Sequence, residues 1–488
     1  MGEVMNLFGR REINTPVAQI TRENVIKVLG NAVAIHHKNA AEIDYLYWYM
    51  RGRQPILRRV KNVRPEINNK IVENHASEIA QFTSSYFLGE PVTYVHRGDN
   101  KDNADDLRLL NDYMYFENKS THDKDMATWM AVCGVGYRMV LPDKNADPEV
   151  RDEAPFEIDT PDPRNTFVVY HSGFGHKRVM GVQIVKVMTD DGAEETHYCG
   201  YTKTHYFEVW NGNLLRWEAH ALGEIPIFEY RLNMFRLGSF EPAVSVLNAI
   251  NNASSNRMDA IETFVQSFLK FKNCDVDETK VDSLAKLGAI KIKSTDGLDA
   301  DVELISQELN QTQTQTYVDY LYEQLLTICG LPSTTKGGTS TSDTGQAVFL
   351  RDGWQQCEAR AKDTEQLFKK SEREFLRLVL RIMRELNGVT LNLSEVETKF
   401  TRRQHDNLLT KTQSLLHMLE AGLKPEIAVA ACGLFNDPMD VAAQSEEYLA
   451  KWDPENAGSA GPVSIPAEEN LPNNTQGARE GVQANIAH

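Results

Sequence analysis

No apolar run in the sequence approaches the roughly 18 residues that cross a bilayer, so no membrane-spanning helix is expected. The opening, MGEVMNLFGRREINTP, lacks the apolar core of a secretory signal, and Asn6 stands where a myristoylation signal needs Ser or Thr. The protein is expected to stay in the cytoplasm that makes it. Cysteine is also scarce, at 133, 199, 274, 329, 357 and 432, with no C-x-x-C pair for zinc or redox chemistry. Buried, reduced thiols are expected. Cations fall short too: 52 Lys and Arg face 69 Asp and Glu, a formal charge of -17. That deficit excludes a protein that coats nucleic acid, because such binding is driven by cations displacing phosphate counterions. Contact with DNA should be weak or transient.

What is present is ordinary for a soluble protein: 41% hydrophobic and 25% charged residues in 488, enough for about two to four domains. Residues 23–50 read as a helix, with Val25, Leu29, Ala32, His36, Ile43 and Leu46 near helical spacing. Residues 68–87 read as a second, since Ile71, His75, Ile79, Phe82 and Tyr86 share a face; Gly89 and Pro91 stop it, and VTYV begins a strand. From Phe167 to Glu218 the period drops to two, in runs separated by DDG and NGN. Asn211-Gly212 between alternating runs is a strong hairpin signal. An antiparallel meander inside a mainly helical α+β chain is predicted.

In the second half, Val244, Leu247, Ile250, Met258, Ile261, Val265 and Phe268 mark one helix face, while Asn248, Asn251, Asn252 and Asn256 crowd the rest. Residues 270–310 read as a small hairpin module, AIKIK and DVELI around Asp296-Gly297. A helix over 314–329 ends at Leu331-Pro332. The next stretch, STTKGGTSTSDTG (333–345), is small, hydroxylated and turn-forming, and a connection of that kind is usually functional or disordered. Asp343 and Gln346 resemble a capping box for a long helix that runs through Trp354, Phe368 and Phe375 to Asn387-Gly388. At about 1.5 Å per residue that rod would be ~65 Å long. VETKF follows as a β-like piece, then two or three short helices over 405–450, and from Pro454 a composition too polar to order itself.

Catalytic motifs fail one by one. TTKGG places its Lys before the glycines and follows a helix, the reverse of a phosphate-binding loop. His171 with His176, and His197 with His205, lie in or beside polar strands and turns without carboxylate or Cys spacing that completes a metal site. The run DNKDNADD (99–106) reads as a solvated loop opening a helix rather than a cation site. GLKPEIAVAACGLFNDPMDVAAQ (422–444) mimics a helix-turn-helix but offers acids to a major groove. No catalytic residue, metal or cofactor is called for, although a metal-dependent nucleic-acid-processing enzyme using the acidic loops stays open as the alternative, as does another capsid or tail structural protein.

Taken in order, several stretches carry a resemblance: RPEINNKIVENHASEIAQFTSSYFLGEPVTYV (64–95), LGEIPIFEYRLN with GSFEPAVSVLNAINNASSNRMDAIETF (222–264), the helix, loop and long helix of 317–386, and KFTRRQHDN followed by AGLKPEIAVAACGLFNDPMDVAAQSEEYL. Together they resemble the portal proteins of tailed bacteriophages, particularly those with long non-contractile tails. The resemblance implies a non-enzymatic ring of about twelve subunits at one capsid vertex, through which double-stranded DNA is packaged and ejected. It implies a wing of residues 1–240, stem helices of 241–269 and 311–330, a clip of 270–310, a tunnel loop of 331–344, a long wing helix of 345–388, a crown with its preceding strand over 389–452, and a flexible tail of 453–488. Implied partners are the terminase large subunit, the head-completion (adaptor) protein, and the major capsid and scaffolding proteins. The tunnel loop would be Thr334, Thr335, Lys336, Gly337, Gly338, Thr339 and Ser340, with Lys291 and Lys293 as clip residues that dock a partner. A polar constriction with one cation suits a duplex that must slide, since each firm Lys or Arg contact to phosphate deepens a trap.

Overall fold

Helix α1 (Val25–Met50) buries the face read from its spacing, including Val25, Leu29, Ala32, His36, Ile43 and Leu46. A computed structural model describes residues 9–62, 64–97, 103–143, 146, 153–189, 191–265, 268–272, 301–305, 311–333, 353–400, 408–435, 441–442 and 444–449. About half of these are helical, and they fall into two units, residues 1–404 and 405–488.

In the first unit, strand β1 (Ile13–Thr15) precedes α1, and α2 spans His75–Leu88, shorter than the expected 68–87. Residues 68–74 are not helical because their backbone donors are claimed by another helix, as described below. Strand β2 (Thr93–His96) is the expected VTYV piece; helices α3 (Ala104–Phe116) and α4 (Lys119–Cys133) follow, then β3 (Val135–Pro142) and β4 (Phe156–Asp159). Gly134 makes the turn from α4 into β3 at φ 83°, and a Cβ there would meet the backbone oxygen and carbon of Arg236 at 2.2 and 2.3 Å. Only glycine fits that corner.

The meander forms as expected: β5 (Thr166–His171), β6 (Arg178–Met188), β7 (Glu194–Tyr201), β8 (His205–Trp210) and β9 (Asn213–Ala219) pair antiparallel in sequence order. Strand β1 adds to its edge parallel to β5, making six strands. Asn211 and Gly212 both have positive φ, 46° and 77°, so the β8–β9 turn has the twist a two-residue hairpin needs. A second sheet has order β10-β3-β4, with β10 spanning Ile227–Arg231.

Among the described residues of this unit, three further helices and two small sheets follow. Helix α5 (Val244–Val265) leads to β11 (Phe268–Lys272), which pairs antiparallel with β12 (Asp301–Ile305). The described partner of DVELI is FLKFK; AIKIK, the partner expected from sequence, lies outside the described residues. Helix α6 (Gln311–Cys329) follows, and α7 (Trp354–Asn387) is the long helix, ~51 Å at about 1.5 Å per residue. Gly353 caps it at φ 83°; the expected Asp343–Gln346 box lies outside the described residues. Strand β13 (Val396–Lys399) pairs with β2.

One core cluster wraps α7, where Phe368, Phe375, Leu378 and Val379 are fully buried with Phe87, Phe156, Phe228 and Tyr230. Within that core lies a closed charge cluster. Glu372 of α7 pairs with Arg138 of β3 at 2.8 Å and with Lys119 of α4 at 3.0 Å, and accepts hydrogen bonds from the hydroxyls of Tyr94 (2.5 Å) and Tyr230 (2.6 Å). Asp123 completes it by pairing with Lys119 at 2.6 Å and with Arg138. Two cations and two anions cancel, so charges that would be prohibitive alone are tolerated in the core. The long helix is thereby held in register by polar contacts to α4, β2, β3 and β10.

The second unit contains α8 (Leu408–Glu420), α9 (Pro425–Cys432) and α10 (Glu446–Leu449). Pro425 starts α9 and Gly433 ends it at φ 61°, and Lys411 Nζ donates to the Gly433 carbonyl at 3.0 Å.

Candidate functional site

Helices α5 and α6 flank the expected clip in the chain, and α6 precedes the expected loop. Their pairing starts from sequence. Helix α5 presents Leu247 and Ile250 to Val318, Leu321 and Leu325 of α6 in one apolar cluster. Tyr322 ties the pair to α2: its hydroxyl donates to Glu78 at 2.7 Å and its ring centroid lies 4.7 Å from that of His75. Burial first, and the Glu78 carboxylate second, push the Tyr322 hydroxyl up to about 12.

The amide-rich side of α5 has a structural use. Residues 51–74 form a strap between α1 and α2 that contains a short 3-10 turn (Pro55–Arg58), and 68–74 run extended along α5. The N–H groups of Asn69, Ile71 and Glu73 donate to Asp259 Oδ1 (2.7 Å), Ser255 Oγ (3.0 Å) and Asn251 Oδ1 (2.8 Å). Alternate residues of an extended chain repeat every ~6.6 Å. Positions four apart on a helix repeat every ~6.0 Å. The two periods nearly match, so a helix face serves in place of a partner strand. Tyr49 donates to Asn248 Oδ1 at 2.9 Å, Arg59 to Asn256 Oδ1 at 2.5 Å, and Asn251 Nδ2 to Gln54. Burial works against ionisation of Asp259, but the Asn69 amide and Lys61 hold its carboxyl below the usual range. Asn248, Asn251 and Asn256 on the amide-rich side of α5 are thus engaged within the subunit. The signal for this was the row Asn251, Ser255, Asp259 at intervals of four.

The expected site residues themselves, Thr334, Thr335, Lys336, Gly337, Gly338, Thr339 and Ser340, lie outside the described residues, as do Lys291 and Lys293. Their anchor points are described. The described residues that flank the stretch holding the loop are Ser333, which is buried, and Gly353, the cap of α7. Within the expected clip of 270–310, the described residues on either side of Lys291 and Lys293 are paired, Lys272 opposite Asp301.

Features weighed for catalysis have local uses. His197 sits between Glu208 (2.7 Å) and Glu195 (3.4 Å) on the sheet, and among the described residues no group of three His, Cys, Asp or Glu could hold a metal. Asp106, from the acidic run, accepts the N–H groups of Thr390 (2.8 Å) and Leu391 (3.2 Å) and so fixes the chain leaving α7. Among the described residues no helix is long and apolar enough to cross a membrane.

The profile of the family described as "Phage portal protein, SPP1 Gp6-like" matches residues 30–455. The chain belongs to that family. The portal protein of Bacillus phage SPP1 is 23% identical over 401 residues, 76% of this chain and 74% of that relative. A solved structure titled "Neck of empty GTA particle computed with C6 symmetry" covers 74% of this chain and 90% of its own at 11% identity, with a TM-score of 0.45. The portal family is structural rather than enzymatic, and membership makes this chain a phage portal protein and a component of the virus particle.

Proposed function

We propose that this portal protein works as a ring of about twelve copies around a channel that conducts double-stranded DNA into and out of the capsid. The observation that carries the reading is the family match across residues 30–455, which takes in the α5–α6 pair and the connections at both its ends. In this reading residues 1–240 with 345–388 are the wing, 241–269 and 311–330 the stem, 270–310 the clip and 389–452 the crown. Sedimentation or native mass measurement tests it: a particle of about twelve chain masses is expected, and a monomer that cleaves nucleic acid with a divalent metal overturns it.

The segment Thr334 to Ser340 forms the constriction, with Gly337 and Gly338 free to change conformation and Lys336 as its one positive group. Lys336→Glu, or deletion of Thr335 to Ser340, is expected to impair packaging or genome retention while rings still assemble. Normal filling and retention by the deletion refutes this role.

Lys291 and Lys293 present a docking face to the terminase large subunit or the head-completion protein, and the wing and crown meet the major capsid and scaffolding proteins. Lys291→Glu with Lys293→Glu is expected to weaken motor or adaptor binding; equal binding to both assigns these lysines to a solvated strand face.

A further inference from the structure

The strap is chemically out of keeping with the rest of the chain. Between residues 51 and 70 it carries Arg51, Arg53, Arg58, Arg59, Lys61, Arg64 and Lys70 against one acid, Glu66, in a protein of net charge -17. Arg59 and Lys61 are committed to Asp259, at 3.1 and 2.9 Å. Arg51, Arg53 and Arg58 are exposed. The Arg53 guanidinium lies 3.8 Å from the Trp48 ring centroid and that of Arg51 lies 5.3 Å from it, which holds both planar groups out as pre-set forks. Among them stand Leu57, 43% exposed, and Val60, 82% exposed. Exposed apolar side chains interleaved with Arg and Trp are the composition of a protein interface rather than of a phosphate track.

The complementary surface is on α6. Over Gln311–Cys329 that helix has no Lys or Arg, and its acids are Asp319 and Glu323. Asp319 is exposed, and Tyr317 and Tyr320 beside it are 53% and 54% exposed. The two surfaces lie on opposite flanks of α5. Asn251, Ser255 and Asp259, which hold the strap, fall within roughly 80° of one another around the helix axis, whereas Arg257, which bonds Gln315 of α6, lies roughly 120–160° away. A closed ring needs this arrangement, because in a head-to-tail assembly two different patches on opposite sides of one subunit meet on successive copies.

We infer that the Arg51–Arg53–Arg58 strap of one copy docks on the Asp319–Glu323 face of α6 of the next copy, and that this contact closes the ring around the stem. The inference rests on the ring reading above and names the surfaces that build it. The partner is a second copy of this chain, and attraction between exposed charges makes the contact salt-sensitive.

The test uses two full-length variants, Arg53→Glu with Arg58→Glu, and Asp319→Lys with Glu323→Lys. Each alone is expected to lose the high-mass particle by sedimentation while its thermal unfolding stays cooperative. An equimolar mixture is expected to regain the particle, because each reversed patch then meets its opposite in alternating copies. Rings from both single-patch variants overturn this contact and leave the ring reading intact. A wild-type chain that stays monomeric at tens of micromolar overturns both. If both variants form rings and only the Arg53→Glu, Arg58→Glu rings lose binding of covalently closed circular duplex, which cannot thread a closed channel, the strap is a DNA surface and the inference fails.

Discussion

The amide N–H of Glu73 donates to the side-chain oxygen of Asn251 at 2.8 Å, the last rung of a ladder that ties an extended segment to a helix. Buried backbone donors need acceptors, and residues 68–74 find them on α5 instead of on one another. This relationship replaces the first part of the expected helix, residues 68–74, with a strap, while His75–Leu88 stays helical, and it places a basic surface on one flank of α5.

Ser255→Ala removes the acceptor of the part-buried Ile71 N–H, and the loss of such a hydrogen bond costs about 0.5–1.5 kcal/mol. A lower Tm is expected, together with faster tryptic cleavage after Lys61 and Lys70 under native conditions. Unchanged protease resistance would show that the ladder does not hold the strap.

Glu372→Gln leaves Lys119 and Arg138 facing a neutral group inside the core, and breaking a buried ion cluster in this way costs about 3–5 kcal/mol. Acid acts on the same group. Burial alone would raise the pKa of Glu372, but Lys119, Arg138 and the hydrogen bonds from Tyr230 and Tyr94 outweigh it and hold the carboxyl well below 4.5. Its stabilising contribution is therefore complete above pH 4.5 and is lost as pH falls below that value. Urea denaturation of wild type and variant across pH 3 to 6 is expected to show the two curves converging in acid.

His36 gives a second acid-sensitive step at higher pH. Desolvation in the core lowers its pKa from 6.5 to about 4, while its Nε2 lies 2.9 Å from the Arg164 carbonyl oxygen and its ring stacks on Phe167. The native state favours the neutral ring, so stability is full above pH 6.5 and falls between 6.5 and about 4 as the unfolded chain takes up the proton. His36→Phe is expected to flatten that part of the stability profile whatever its effect at neutral pH.

Cys133 and Cys329 are buried, and desolvation pushes each thiol up to about 12. Since the thiolate is the nucleophile, iodoacetamide at neutral pH is expected to modify neither in the native protein and both after denaturation. Rapid native labelling of Cys133 would contradict its packing between α4 and β3.

Gly134→Ala forces a side chain into positive φ and onto the Arg236 backbone. The strain adds to the clash, and loss of soluble protein, or a Tm several degrees lower, is the expected result.

The β8–β9 hairpin shows what was legible: Asn211-Gly212 adopts a conformation set within two residues, so local chemistry decides it. The same holds for α1, where one face repeats at helical spacing without a competing partner. The Lys119–Asp123–Arg138–Glu372 cluster was not legible, because Lys119 and Asp123 look like a surface pair at i, i+4 and Glu372 looks like one more charge on a long charged helix. Only packing shows them to be buried.

The sequence by itself determined the meander, the α1 and α7 rods, the acidic balance and the portal resemblance, because periodicity, turn chemistry and the order of segments are properties of neighbouring residues. Tertiary structure decided that Asn251, Ser255 and Asp259 hold a strap and that DVELI pairs with FLKFK. Those outcomes depend on which distant backbone arrives to satisfy a donor or acceptor, and no local pattern records the visitor.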